Sequence, residues 1–221
     1  MDNKFDVIII GSGLGGLQCG YILSREGMKV CILEQHSQIG GCLQNFTRDN
    51  CVFDTGVHFI GGLDEGQVLN RYFKYFGLMD KLDLKRMDAN GFDTINFAGD
   101  PVEYKFAMGH EHFVDGLCHH FPSERKELEK YVGKLKDICN HFPLYSIREN
   151  EFQVSELQLF SENAFDYIRS VTHNRKLQNV LAGSNPLYAG IPEKTPLYVH
   201  ALVNNSFIES SWRVVKGSSH I

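Results

Sequence analysis

The feature that most constrains this chain is a glycine-rich turn set between an apolar run and a helical pattern, FDVIIIGSGLGG at residues 5–16. Val7 to Ile10 form a continuous apolar run, as expected of a parallel strand covered on both faces. The chain must then turn sharply into a helix, and the glycines divide the work. Gly11 permits the tight turn, Gly13 lets backbone approach a pyrophosphate, and Gly16 lets the helix pack closely on the strand. Ser12, Leu14 and Gly15 complete the turn, and an anion would sit at the helix N-terminus, where unpaired N–H groups and the dipole favour it. Leu14, Leu17, Tyr21 and Ile22 give the helix an apolar face, with Gly27 placed to end it. Met28 to Leu33 read as the second strand.

Glu34 follows Gly11 by 23 residues, close to the spacing of the acid that takes the adenosine ribose hydroxyls. A carboxylate there repels a 2′-phosphate, which argues against NADP. The bland alternative is a chance glycine-rich turn with Glu34 merely solvated, and the strand, helix and acid in sequence weigh against it. NAD sites share these features, so the choice of FAD rests on residues beyond Glu34. Gly40-Gly41, six residues past it, lets the chain return close to the pyrophosphate. Phe53-Asp54-Thr55-Gly56 then reads as a segment passing near a flavin. Gln35, Cys42, Val57 and His58 complete the candidate cofactor-binding set.

These residues resemble the phytoene desaturase, carotenoid isomerase and retinol saturase group of flavoproteins. FDTGVHFIGG, from Phe53, is most similar to the retinol saturase side, where an acid, a glycine and a histidine share one frame. FVDGLCHHFPSERKELEKYV and LAGSNPLYAGIPEKTP also resemble the group's intervening region. One departure is Cys42, where many relatives carry Arg, so a charge-assisted contact to the pyrophosphate is absent and backbone N–H groups must serve. The resemblance implies FAD as cofactor and a hydrophobic small-molecule substrate, a polyene or isoprenoid. It also implies that relatives continue past the position of Ile221, so the chain is expected to be C-terminally incomplete and catalytically incompetent alone.

The net charge is −5 and the pI about 6.0, and no basic patch interleaves with aromatics, so a nucleic-acid partner is not expected. Six scattered cysteines show no CxxC and no metal-like spacing. Cys19 and Cys31 fall in expected core elements, and reduced cytosolic thiols are the economical reading. His110, His112, His119 and His120 lack acids at ligand spacing, so surface or capping roles are expected and no metal. His58 reads either as a hydrogen-bond donor to the flavin or as a core histidine satisfied by backbone. The first strand starts within five residues of Met1, and no apolar run approaches membrane-helix length. A cytoplasmic location is expected, with peripheral membrane contact as the variant.

Beyond Gly62 the pattern changes to aromatic-rich helices beginning with QVLNRYFKYFGL. Phe92–Phe97 and Val102–Phe106, separated by Ala98 to Pro101, read as a β-hairpin. Ser123 is the expected cap of a helix with apolar positions Leu128, Tyr131, Val132, Leu135, Ile138, Cys139 and Phe142. One further helical stretch carries Phe165, Ile168, Leu177, Val180 and Leu181 to Gly183. The loop between Asn185-Pro186 and Ile191-Pro192 precedes an apolar segment near Leu197, and SSWRVVKGSSHI resembles the point where members of the group re-enter the nucleotide domain. The fold class is therefore α/β: a Rossmann-like FAD/NAD(P)-binding domain, doubly wound with a partly parallel sheet, at 1–62 and about 206–221. A mixed α+β substrate region is inserted at 63–205.

The expected activity is that of an FAD-dependent oxidoreductase acting on carbon–carbon double bonds, as desaturase, saturase or isomerase. No residue reads as an acid–base catalyst. The alternatives are a non-redox prenyl-lipid-binding protein of the same fold and an NAD-dependent dehydrogenase. Rab escort and GDP-dissociation-inhibitor proteins, which exemplify the first, lose the glycine pattern that Gly13, Gly15 and Gly16 keep here.

Overall fold

A computed structural model describes residues 4–147 and 161–221. The elements begin with β1 (Val7–Ile10), α1 (Leu14–Arg25), β2 (Val30–Leu33), β3 (Asn45–Arg48), β4 (Cys51–Asp54), β5 (Ile60–Gly61) and α2 (Val68–Tyr75). They continue with β6 (Leu84–Arg86), β7 (Asp93–Ile95), β8 (Tyr104–Phe106), α3 (His110–Cys118), α4 (Arg125–His141) and α5 (Pro143–Ser146). The last are α6 (Ala164–Val171), α7 (Arg175–Leu181), α8 (Leu197–Glu209) and β9 (Ser211–Val214). Two compact units result: 1–60 with 72–85 and 213–221, and 61–71 with 86–212. A three-stranded sheet has the order β5-β9-β6.

In the first unit β1 and β2 pair in parallel, Val7 opposite Val30 and Ile10 opposite Leu33. Helix α1 ends in a left-handed Gly27 with φ +86°. Its Met28 and Gly27 N–H groups close back on Leu23 and Ser24 carbonyls, a Schellman motif that satisfies the orphan acceptors. The strand expected to be covered on both faces is covered on one. Ile9 and Ile32 lie under α1, whereas Ile8 is 60% and Ile10 88% exposed. The apolar face expected of α1 also differs, because Leu14, Tyr21 and Ile22 are exposed. Small residues make the contact instead: a Cβ on Gly20 would lie 2.8 Å from Ile32 Cδ1. Cys19, expected in the core, is exposed for the same reason, since it sits beside that seam rather than in it. All six cysteines are free thiols.

Strands β3 and β4 form an antiparallel hairpin closed by Asp49-Asn50, both with positive φ, the turn geometry that matches strand twist. Phe46 and Phe53 stack across it at 5.3 Å, yet both are exposed. Arg25 lies over the Tyr21 and Tyr75 rings, 5.8 and 5.2 Å from their centroids.

The second unit is built on α4 and α8. Leu128, Tyr131, Val132, Leu135, Ile138 and Cys139 are buried on one face of α4, as their spacing predicts, while Phe142 is half-buried at the helix end. Ser123 is not the cap: it lies in a short 3₁₀ turn, Pro122–Glu124, and Glu124 occupies the cap position without a side-chain capping bond, its carboxylate accepting from Thr172 Oγ1 instead. The stretch expected as one helix from 165 to 181 is two. Asn174 caps α7 by accepting from the Lys176 and Leu177 N–H groups, and Thr172 is extended before it. That cap outcompetes continuation of α6, because an Asx side chain gives the next helix its own start. The expected hairpin is present as β7 and β8, Asp93 opposite Phe106.

His200 on α8 has no exposed surface. Tyr131 and Tyr188 hydroxyls lie 2.7 Å from its Nε2 and Nδ1, and burial pulls its pKa down to about 4. Among the described residues no helix is long and apolar enough to cross a membrane.

Candidate dinucleotide site

The turn after β1 starts at Gly11, whose φ of +98° a side chain would strain. Its N–H donates to Leu33 O at 2.7 Å, tying the turn to the end of β2. A Cβ on Gly16 would collide with the Gly11 carbonyl, so this glycine is demanded by helix–strand packing. Gly13 and Gly15 differ. A Cβ on either would meet nothing within 4 Å, so no protein contact requires them to be glycine. Open space over an N-terminal helical turn is what a diphosphate needs, because the first-turn N–H groups have no intrahelical acceptors.

Glu34, at the end of β2, is drawn to this turn. Its Oε2 accepts from Ser12 N at 2.9 Å and from Ser12 Oγ at 2.6 Å, and its Oε1 accepts from His36 N at 2.9 Å. The Ser12 hydroxyl, then the His36 and Ser12 amides, hold its pKa down to about 2. A carboxylate so stabilised stays ionised and offers charge-assisted acceptance to hydroxyl donors.

Gly40 and Gly41 both have positive φ, +106° and +57°. The doublet forms a parallel bridge to Gly13, with Gly40 N donating to Ser12 O at 3.0 Å. A Cβ on Gly41 would lie 3.0 Å from Gly13 Cα, so close backbone approach is the reason for glycine there. Cys42 follows in a short 3₁₀ turn, Gly41–Leu43, and is exposed. Gly56 abuts it, since an added Cβ would be 3.0 Å from Cys42 O. The structure thus brings together Gly11 to Gly16, Glu34, Gly40 to Cys42 and Gly56. Gln35 and His58 are exposed and Val57 is half-buried, placed by continuity with Glu34 and Gly56. The alternative of a core histidine at 58 is therefore set aside. Of the other histidines singled out, His110 Nε2 lies 2.8 Å from Asn205 Oδ1, and His120 packs edge-on to Tyr104.

Three features of the site have no signal in the local sequence pattern. Ser12, 2% exposed, links the turn, the acid and the doublet through one side chain. Gly20 sets the second close approach of α1 to the sheet. Asp54, expected only as part of a flavin-side segment, accepts from Ser218 N at 2.6 Å and Ser218 Oγ at 2.8 Å, fastening the C-terminal residues to the hairpin. Its partner is 164 residues away, and no local pattern announces such a bond.

The donor set and the open glycine cradle fit a dinucleotide. Fold and sequence together define the class: a Rossmann-like domain, matching the family described as the NAD(P)-binding Rossmann-like domain over residues 9–76, in the fold of FAD-dependent oxidoreductases. The homologues are retinol 13,14-reductase, prolycopene isomerase and diapophytoene desaturase. The chain is 28% identical to all-trans-retinol 13,14-reductase of Rattus norvegicus, over 99% of this chain and 38% of that protein. It is 27% identical to a chloroplastic prolycopene isomerase of an Oncidium hybrid cultivar, over 66% of this chain and 25% of that one. It is 43% identical to 4,4′-diapophytoene desaturase of a Methylomonas species, over 29% of this chain and 13% of that one. The chain therefore spans little more than a third of the length of the retinol reductase relatives. Among solved structures, putrescine oxidase has a TM-score of 0.63 at 17% identity, covering 97% of this chain and 47% of that one. Rab GDI of Plasmodium falciparum has a TM-score of 0.53 at 13% identity, covering 98% and 54%.

Proposed function

We propose that this chain is the cofactor-binding part of an FAD-dependent oxidoreductase acting on carbon–carbon double bonds of a hydrophobic polyene or isoprenoid. The observation that carries the cofactor reading is the convergence of the Gly11–Gly16 turn, Glu34 and the Gly40-Gly41 doublet around an open cradle. Backbone N–H groups of residues 13–16 would hold the diphosphate, and Glu34 would accept the adenosine ribose hydroxyls. Gly41 keeps the returning chain low enough to leave the cradle open. Bound FAD would supply hydride exchange with the substrate. Gln35, Cys42, Gly56, Val57 and His58 would line the path toward the flavin, and the 63–205 region would supply the apolar substrate wall. The substrate class rests on similarity to the retinol reductases along nearly the whole chain. A cytoplasmic protein with peripheral membrane contact fits a substrate that partitions into lipid.

A non-redox lipid-binding role is the second reading, supported by the fold-level likeness to Rab GDI. The retained glycines weigh against it, because Gly13 and Gly15 have no packing reason to be glycine. An NAD-dependent dehydrogenase is the third, and the doublet against Gly13 weighs against that. The test is release of bound ligand from purified protein by denaturation, with chromatographic identification, and then binding of retinol or a carotene by the FAD-loaded protein, read as a shift of the polyene absorbance band. FAD with polyene binding supports the reading. Nicotinamide cofactor alone overturns its cofactor half, and FAD without binding of any polyene overturns its substrate half.

A further inference from the structure

We propose that Ser12 is the positioning residue of the adenosine end of this site: its amide and hydroxyl together lock the Glu34 carboxylate and couple it to the glycine doublet. This rests on the FAD reading above and names what sets the geometry of its ribose acceptor. The Ser12 N–H and O–H both donate to Glu34 Oε2, at 2.9 and 2.6 Å, filling that oxygen's two acceptor positions. Ribose hydroxyls would then be taken on Oε1, which accepts from His36 N. Ser12 Oγ also accepts from Gly40 N at 3.3 Å, while Ser12 O accepts from the same N–H at 3.0 Å. One buried side chain therefore touches two segments that lie 22 and 28 residues away from it.

The chemistry of this arrangement separates Ser12 from a residue that only fills space. The hydroxyl donates a charge-assisted bond to an ionised carboxylate, and such bonds favour the charged form. They also remove rotamer freedom from Glu34 before a ligand arrives, so binding has less ordering to do. Alanine at position 12 keeps the amide bond and the small volume but loses the hydroxyl. Glu34 then regains rotamers and titrates nearer the ordinary glutamate value.

The experiment is a cycle of Ser12→Ala, Glu34→Ala and the double variant in the full chain, with FAD dissociation constants read by fluorescence titration across pH 3–7. Ser12→Ala should weaken FAD roughly tenfold or more, within the range of a hydrogen bond to a charged group. In the Glu34→Ala background the same change should alter affinity by less than about twofold, because its effect runs through the carboxylate. Wild-type affinity should hold as pH falls through 4.5, whereas the Ser12→Ala protein should lose affinity in that region. Equal losses in both backgrounds, or no loss in either, would overturn the proposal. Carbon-13 NMR titration of Glu34 in the ligand-free proteins gives a second readout: a midpoint near 2 in both wild type and Ser12→Ala also overturns it. That titration needs no ligand, so a wild-type chain that binds no FAD would sink the cofactor reading while the carboxylate titration still decides the role of Ser12. Ser12→Thr, which keeps the hydroxyl, should restore the low Glu34 midpoint.

Discussion

The two units of this molecule use apolar residues in opposite ways. In the second, the α4 face is closed: Leu128, Leu135 and Ile138 have no exposed surface, and α8 supplies Leu197 and Ala201 with none either. In the first, Ile8, Ile10, Leu33, Phe46, Val52 and Phe53 are all exposed, and the seam between α1 and the sheet is made by glycines. The second unit thus takes its order from side-chain packing, whereas the first takes its order from backbone geometry. Gly11, Gly16, Gly20 and Gly41 hold that geometry because a Cβ at each would strain or collide.

A pair of substitutions puts this contrast at greatest risk. Leu135→Ala leaves a cavity in a closed core and should cost about 2–5 kcal/mol, read by denaturant unfolding. The single tryptophan, Trp212, lies in the same unit with its indole N–H bonded to Asp64, so its fluorescence reports the transition. Ile10→Thr changes a side chain that is 88% exposed, and should move stability by no more than about 0.5 kcal/mol. Comparable losses would show that the β1 face is as packed as α4.

A second prediction concerns His200 and falls between these in size. Its pKa is lowered by burial from 6.5 to about 4, so between those values the unfolded chain takes up a proton that the folded chain refuses. Stability from this group is complete above about pH 6.5 and declines as pH falls toward 4, by about 3 kcal/mol in all. The ring faces Tyr131, Tyr188 and Asn204. Measured unfolding free energies for wild type and His200→Gln across that window check it. The variant should lose up to one proton's worth of slope, and identical slopes would contradict the assignment.

Much of the first unit's candidate site was legible because Gly11, Gly16, Gly40 and Gly41 have backbone reasons that local sequence exposes. Gly11 and Gly16 stand where a strand must become a helix, and Gly40-Gly41 where a chain must pass another backbone. The periodicity on α4 was equally readable, since six buried positions recur on one helical face. What remained hidden depends on distant partners or on competition between local choices. The β3–β4 hairpin has its own sign in Asp49-Asn50, a turn pair tolerant of positive φ, but its second strand overlaps the Phe53–Gly56 motif, which carries no strand signal of its own. The α6–α7 break was signalled only by Asn174, whose capping bond competes with an otherwise helical stretch. The exposure of Ile8 and Ile10 could not be read at all, because an apolar strand looks the same whether one face or two are covered.

Everything proposed for this site turns on Glu34, fixed against the Gly11–Gly16 turn, recognising the ribose of a dinucleotide. Equilibrium titration of wild type and Glu34→Ala with FAD tests that recognition head-on, with FMN, which lacks the adenosine ribose, as the control ligand. Glu34→Ala should weaken FAD binding by roughly 10- to 150-fold, while binding of FMN to either protein stays weak and unchanged. An FAD dissociation constant unaltered by the substitution would contradict this, and would leave Glu34 as an acid that serves only to brace Ser12.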